Sequence, residues 1–226
     1  MTFSRICGIA AIGFVAIVVV ATAILQAAGL PATDAEPAVV TAFFLDQTTP
    51  IGVASALAPL AWILLALFGA GALARIRPAE RLRGEAWSLV GLVGIVLNAV
   101  FFGGSVVTQI AMLSSGTANE LWHLHNAFFA VNGVSLATAL VGFSIGGLRT
   151  GTIRTWHAGV GLTAAALQLA QAMLTPATLG GGPGFGAVLG LAGFVLWLIW
   201  LAAFGVVLLR ESTSVTVAAR AVPAAV

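Results

Sequence analysis

Charge is what this chain has least of: 7% of its 226 residues are Asp, Glu, Lys or Arg, against 60% hydrophobic. A soluble domain carries about a quarter charged residues, and one with so few would have too little polar surface to stay dissolved. That excludes a soluble enzyme, and no stretch outside the apolar segments is long enough to form a soluble domain. There is one cysteine, Cys7, so an intramolecular disulfide and a cysteine-based metal cluster are excluded. Cys7 precedes the first apolar run instead of following it, which favours a small apolar residue at the membrane edge over a lipid attachment point. Lysine and tyrosine are absent. With every base an arginine and so much Ala, Gly and Val, the composition reads as that of a high-GC bacterial genome. There is no P-loop, dinucleotide glycine fingerprint or His-Glu-x-x-His, and no Gly-x-Ser-x-Gly elbow. No acidic or basic residue lies in the middle of an apolar run, where ion-coupled transporters and pumps usually need one.

What the chain does have is six apolar runs, each long enough to cross a bilayer, which takes about 20 residues. They are Ile6–Ala28, Ile51–Ala74, Ala86–Leu113, Leu121–Leu148, Trp156–Leu174 and Phe185–Leu209. Proline and glycine punctuate the breaks at Gly29–Pro31, Asp46–Pro50, Arg75–Pro78 and Gly180–Gly184, where they stop helices sterically. All the arginines fall in alternate connections: Arg5; Arg75, Arg77, Arg81 and Arg83; Arg149 and Arg154; Arg210 and Arg220. The other connections hold Asp34, Glu36, Asp46 and Glu120 and no base. Positive charge resists translocation, so the arginine side is read as cytoplasmic. The predicted fold is an all-α bundle of six transmembrane helices over residues 1–210, with both termini cytoplasmic in a bacterial plasma (inner) membrane. Residues 211–226 read as a short disordered tail. The same distribution turns the net charge of +2 into a topology signal, with no nucleic acid expected. Ala21-Thr22-Ala23 resembles a signal cleavage site, but the run is long for a signal core of roughly 7–15 residues, so an uncleaved helix is expected. No repeat is visible beyond the three-plus-three inversion of any six-span topology.

Polar groups are costly in lipid without partners, so their positions mark faces that pack or line a cavity. The third run sets Trp87, Gly91, Gly94, Asn98, Phe102, Ser105 and Gln109 on one stripe at helical spacing. The fifth does the same with His157, Gly161, Ala164, Gln168, Gln171 and Thr175. These stripes read either as helix-to-helix contact, with amides bonding across, or as the wall of a cavity. In the fourth run Asn119, His123 and Asn126 share a face and His125 lies opposite with Asn132. Glu120 and His123 are i, i+3 neighbours and would serve as an acid–base pair or proton relay; the alternative is head-group anchoring. One Glu-x-x-His without further ligands does not make a metal site. His123 and His125 point apart and His157 lies at the other membrane face, so no pair meets at a haem iron. In the sixth run Gly186, Gly190, Gly193 and Trp197 form a small-residue face for close packing, leaving Leu196 and Trp200 toward lipid.

Arg5-Ile6-Cys7-Gly8-Ile9, the Leu121-Trp122-His123-Leu124-His125 opening and Trp156-His157-Ala158-Gly159-Val160-Gly161, with a Trp-rich last helix ending in arginine, resemble a family of multi-spanning bacterial membrane proteins without an assigned activity. The resemblance implies topology and nothing about chemistry, and His125 and His157 stand where the family has less polar residues. The expected role is non-enzymatic binding of a lipid, an apolar small molecule or a partner membrane protein, a second copy of the chain included. Asn98, Gln109, His125, Asn126, Asn132, Gln168 and Gln171 are the expected lining residues, and no metal or cofactor is expected. The alternative is a small intramembrane enzyme acting near the outer leaflet, with Glu120 and His123 as acid and base and Asn126 and Gln109 orienting the substrate. A passive transporter or channel ranks third, because the cytoplasmic half offers only His157, Ser88 and Trp87 for a polar path.

Overall fold

A computed structural model describes residues 1–33, 35–116, 118–178 and 185–220, with the side chains of 119, 177, 178, 185 and 211–220 left aside. The glycine-rich break at 180–184 lies outside these residues, as do Asp34 and the last six residues of the tail. Among the described residues all regular structure is helical: α1 (Phe3–Ala27), α2 (Pro37–Asp46), α3 (Thr48–Leu82), α4 (Trp87–Ser115), α5 (Asn119–Arg149), α6 (Thr155–Thr178) and α7 (Phe185–Arg220). All but α2 are long and apolar enough to cross a membrane.

Three boundaries differ from the sequence reading. The connection before the second span contains α2, whose Pro37 occupies the first turn, a position where its missing N–H costs nothing. Ten residues cannot span a bilayer, yet Val40, Phe43 and Phe44 bury one face of α2. They pack with Ile51, Met112, Ala118 and Trp122 across the end of the bundle remote from the arginines. Arg75–Pro78 does not end the second span: α3 runs through Pro78 to Leu82, and the chain turns at Gly84, where φ is +68°. The last helix extends past Leu209 to Arg220.

The long helices form a ring in the order α1, α3, α4, α5, α6, α7, with α7 returning to α1. Small residues set the closest approaches. A Cβ on Gly8 would meet the Gly205 carbonyl at 2.7 Å, and one on Gly71 would overlap Cys7. Cys7 is therefore fully buried where α1 meets α3, and Ser4 Oγ donates to the Leu208 carbonyl at 2.8 Å.

Inside the ring, at the arginine end, Phe68, Phe143, Trp200 and Phe204 pack edge-on with centroids 5.4–6.5 Å apart. Trp200, expected toward lipid, is 1% exposed. Its indole enters the space that Gly161 leaves open, where a Cβ would lie 2.5 Å from Nε1. What draws the ring inward is close packing into the gap left by a small residue, the contact that holds apolar helices together.

Candidate functional site

The stripe on α4 is buried as expected. Gly94 lies against the Ala139 backbone and Gly91 against the Phe143 ring and Gly142. At this close approach Asn98 Nδ2 donates to Asn132 Oδ1 at 2.7 Å, each amide satisfying the other in the apolar interior. Farther from the arginine end, His125 is half-buried and stacked on Trp122 with centroids 5.2 Å apart and planes 5° from parallel. Its Nδ1 lies 2.9 Å from the Ser105 carbonyl, which can only accept, and 3.0 Å from Ser105 Oγ. Asn126 Nδ2 donates to the Thr33 carbonyl at 3.0 Å, pinning the connection after α1 onto α5.

The glutamines serve mainly as packing groups. Gln168 fits between Gly133 of α5 and Gly193 of α7, and Gln171 faces Gly190. Gln109 is buried on the α4 stripe. The structure thus brings Asn98 to Asn132 and His125 to Ser105, while Asn126 holds the Thr33 carbonyl and Gln168 and Gln171 meet glycines of neighbouring helices. Glu120 and His123 are both exposed, with no hydrogen bond or ion pair between them. Among the described residues no three His, Cys, Asp or Glu side chains come together.

Two features at the arginine end escaped the sequence reading. Glu80 is fully buried, accepting the Ser88 backbone N–H at 2.8 Å and the Ser88 hydroxyl. It thereby satisfies a first-turn donor of α4 and sets a carboxylate at the positive end of that helix. Arg77 Nη1 approaches it at 3.7 Å and donates to the Glu85 carbonyl at 2.6 Å. Arg149 grips the Glu85 carboxylate through Nε, 2.9 Å from both oxygens, and Nη2 at 2.5 Å, while Arg83 donates to the Arg149 carbonyl. An acid just before a helix start, with bases around it, was the available signal.

The second feature is a cavity of about 400 Å³ between the α5–α6 turn and α7, a volume within the range of ~300–1,000 Å³ usual for small-molecule sites. The turn is built on Gly151 at φ +72°, with Thr152 N donating to the Gly147 carbonyl at 2.8 Å. This places Arg154 at the start of α6, where its carbonyl accepts from the His157 and Ala158 N–H groups at 3.0 and 3.1 Å. Half-buried Ala203, Val206 and Val207 form the α7 wall, and exposed Arg154, Arg210 and Trp156 stand around it. His157, 1% exposed, also lines the cavity and lies 2.9 Å from the Trp200 carbonyl through Nε2. A carbonyl only accepts, so Nε2 carries the proton.

Comparison with family models, curated proteins and solved structures returns no match. The functional reading therefore rests on these residues.

Proposed function

We propose that the chain is a multi-spanning protein of the bacterial plasma membrane, with both termini cytoplasmic, that binds an amphiphile from the bilayer without transforming it. The observation that carries this reading is the cavity at the arginine end. It joins an apolar wall on α7 to exposed guanidinium groups at the head-group level that the arginine distribution implies. Such a site suits a molecule with a polar head and an apolar body. Trp156 beside it, 56% exposed, is the residue type that collects at membrane interfaces.

The other readings find less support. The exposure of both Glu120 and His123 at the start of α5, with no bond between them, weighs against the acid–base enzyme. The packed rings of Phe68, Phe143, Trp200 and Phe204 weigh against a continuous polar path, and so against a channel. The polar stripes are better explained by the Asn98–Asn132 bond and the glycine notches than by a substrate cavity.

Native mass spectrometry of the protein released from mild detergent tests the binding reading. A stoichiometric adduct of amphiphile mass, displaced by Ala203→Trp, is the expected result; an adduct-free chain under conditions that preserve lipid on a known lipid-binding membrane protein sinks it. Topology is checked separately. In a Cys7→Ser background, cysteines at Ala32 and Gly84 should label from opposite sides of the membrane with an impermeant maleimide, Ala32 from outside.

A further inference from the structure

Resting on the amphiphile reading above, we propose that the cavity between the α5–α6 turn and α7 selects an anionic phospholipid, with Arg154 and Arg210 holding its phosphate. The arginines of this end differ in what they already hold. Arg77, Arg83 and Arg149 are committed to Glu80, Glu85 or backbone carbonyls. The guanidinium groups of Arg154 and Arg210 make no hydrogen bond or ion pair among the described side chains, and both residues line the cavity. A guanidinium at a membrane interface takes a phosphate bidentately when no carboxylate competes. Among the described residues no carboxylate lines this space.

The start of α6 fits an anion as well. The cavity includes the first turn of α6, where the N–H groups of Thr155 and Trp156 precede the first helical donors and the helix dipole is positive. On the apolar side, Ala203, Val206 and Val207 follow i, i+3, i+4 spacing on α7 and present a strip along which an acyl chain can lie. Phosphate on a hydrocarbon chain satisfies both halves of the site. A choline head would set its own positive charge beside two guanidinium groups, which is why the anionic lipid is favoured over the zwitterionic one.

The full chain in mild detergent would be titrated with dioleoyl phosphatidylglycerol or dioleoyl phosphatidylcholine and read by native mass spectrometry, with glycerol 3-phosphate as a soluble competitor. The wild type should prefer phosphatidylglycerol. Arg154→Gln with Arg210→Gln should reduce that preference about thirtyfold, the ratio two interfacial arginines are worth. Arg5→Gln with Arg81→Gln, which removes as much charge elsewhere on the same face, should leave it unchanged. Arg154→Lys with Arg210→Lys should keep part of it.

Equal binding of both lipids, blocked in both cases by Ala203→Trp, would leave the amphiphile site standing and overturn the anion selection. Phosphatidylglycerol preference that survives the double glutamine variant would overturn the assignment to these two arginines. Competition by glycerol 3-phosphate as effective as that by the intact lipid would overturn the acyl-chain half, making the site one for a soluble phosphate ester. Binding of neither lipid would remove the amphiphile reading itself.

Discussion

Gly94→Ala is the smallest change that should open the bundle. A methyl group there would sit 2.6 Å from the Ala139 Cα and 2.8 Å from its Cβ, with the Ala139 nitrogen nearer still. Carbon atoms attract best at about 3.5–4.0 Å. The atoms met are backbone, so no rotamer change relieves the overlap, and α4 and α5 must separate by about 1 Å. Overpacking of this kind costs about 1–3 kcal/mol. One turn away the Asn98–Asn132 bond, 2.7 Å long, stretches with the separation and adds about 0.6 kcal/mol, the usual value of such a bond between membrane helices. Removing a helical glycine gives back up to about 1 kcal/mol, leaving a net loss on the order of 2 kcal/mol. For a chain of this size that is a fall on the order of 5 °C in melting temperature. The control is Gly159→Ala on α6, where the added Cβ meets nothing within 4 Å, so the propensity gain stands alone. Both variants would be followed by tryptophan fluorescence and size-exclusion survival on heating in one detergent. If Gly94→Ala melts with or above Gly159→Ala, the α4–α5 approach is not as close as the glycine geometry requires.

Asn98→Ala, Asn132→Ala and the double variant should give a coupling energy of about 0.6 kcal/mol in thermal unfolding; additive losses would mean the amides do not bond to each other. Glu80→Ala should destabilise by about 2 kcal/mol, because it strips the buried Ser88 N–H of its acceptor. Glu80→Gln should cost less, since an amide oxygen still accepts, and equal melting of the two would argue against the capping role. Glu120→Ala with His123→Ala should change neither melting temperature nor the mass of any bound amphiphile, as both side chains are exposed and share no bond. Loss of an adduct in that variant would revive the outer-face site.

What could be read from the sequence follows from how much each signal depends on distant residues. The six apolar runs and the Asn98 stripe are local: length, period and small residues show them without knowing a partner. The short α2 was hidden because its three buried positions gain much of their burial from residues distant in sequence, such as Met112 and Trp122, which arrive from other helices. Arg75–Pro78 looked like a stop because proline usually is one. Yet the helix runs on through it, and Glu80, one turn past Arg77, reaches Ser88 only because it does. The face of α7 could not be assigned because a helix apolar all round carries little periodicity. Its inward side was decided by Gly161 on α6, which leaves room for the Trp200 indole.

The candidate site was lost for the same reason. Seven polar residues were expected to line one space, and most are consumed in pairwise contacts that stitch neighbouring helices. The cavity forms instead where a glycine-based turn meets the far end of α7, between Arg154 and Arg210, residues whose positions in the sequence signalled only membrane orientation. Two arginines that border an apolar notch, without a partner among the described side chains, are placed to hold the anion proposed for this site. In this chain the orientation signal and the proposed binding site draw on the same arginines. Neutralising Arg154 and Arg210 while leaving the other basic residues in place is therefore the manipulation that separates the two roles, with topology expected to persist on the remaining arginines and lipid selection expected to fall.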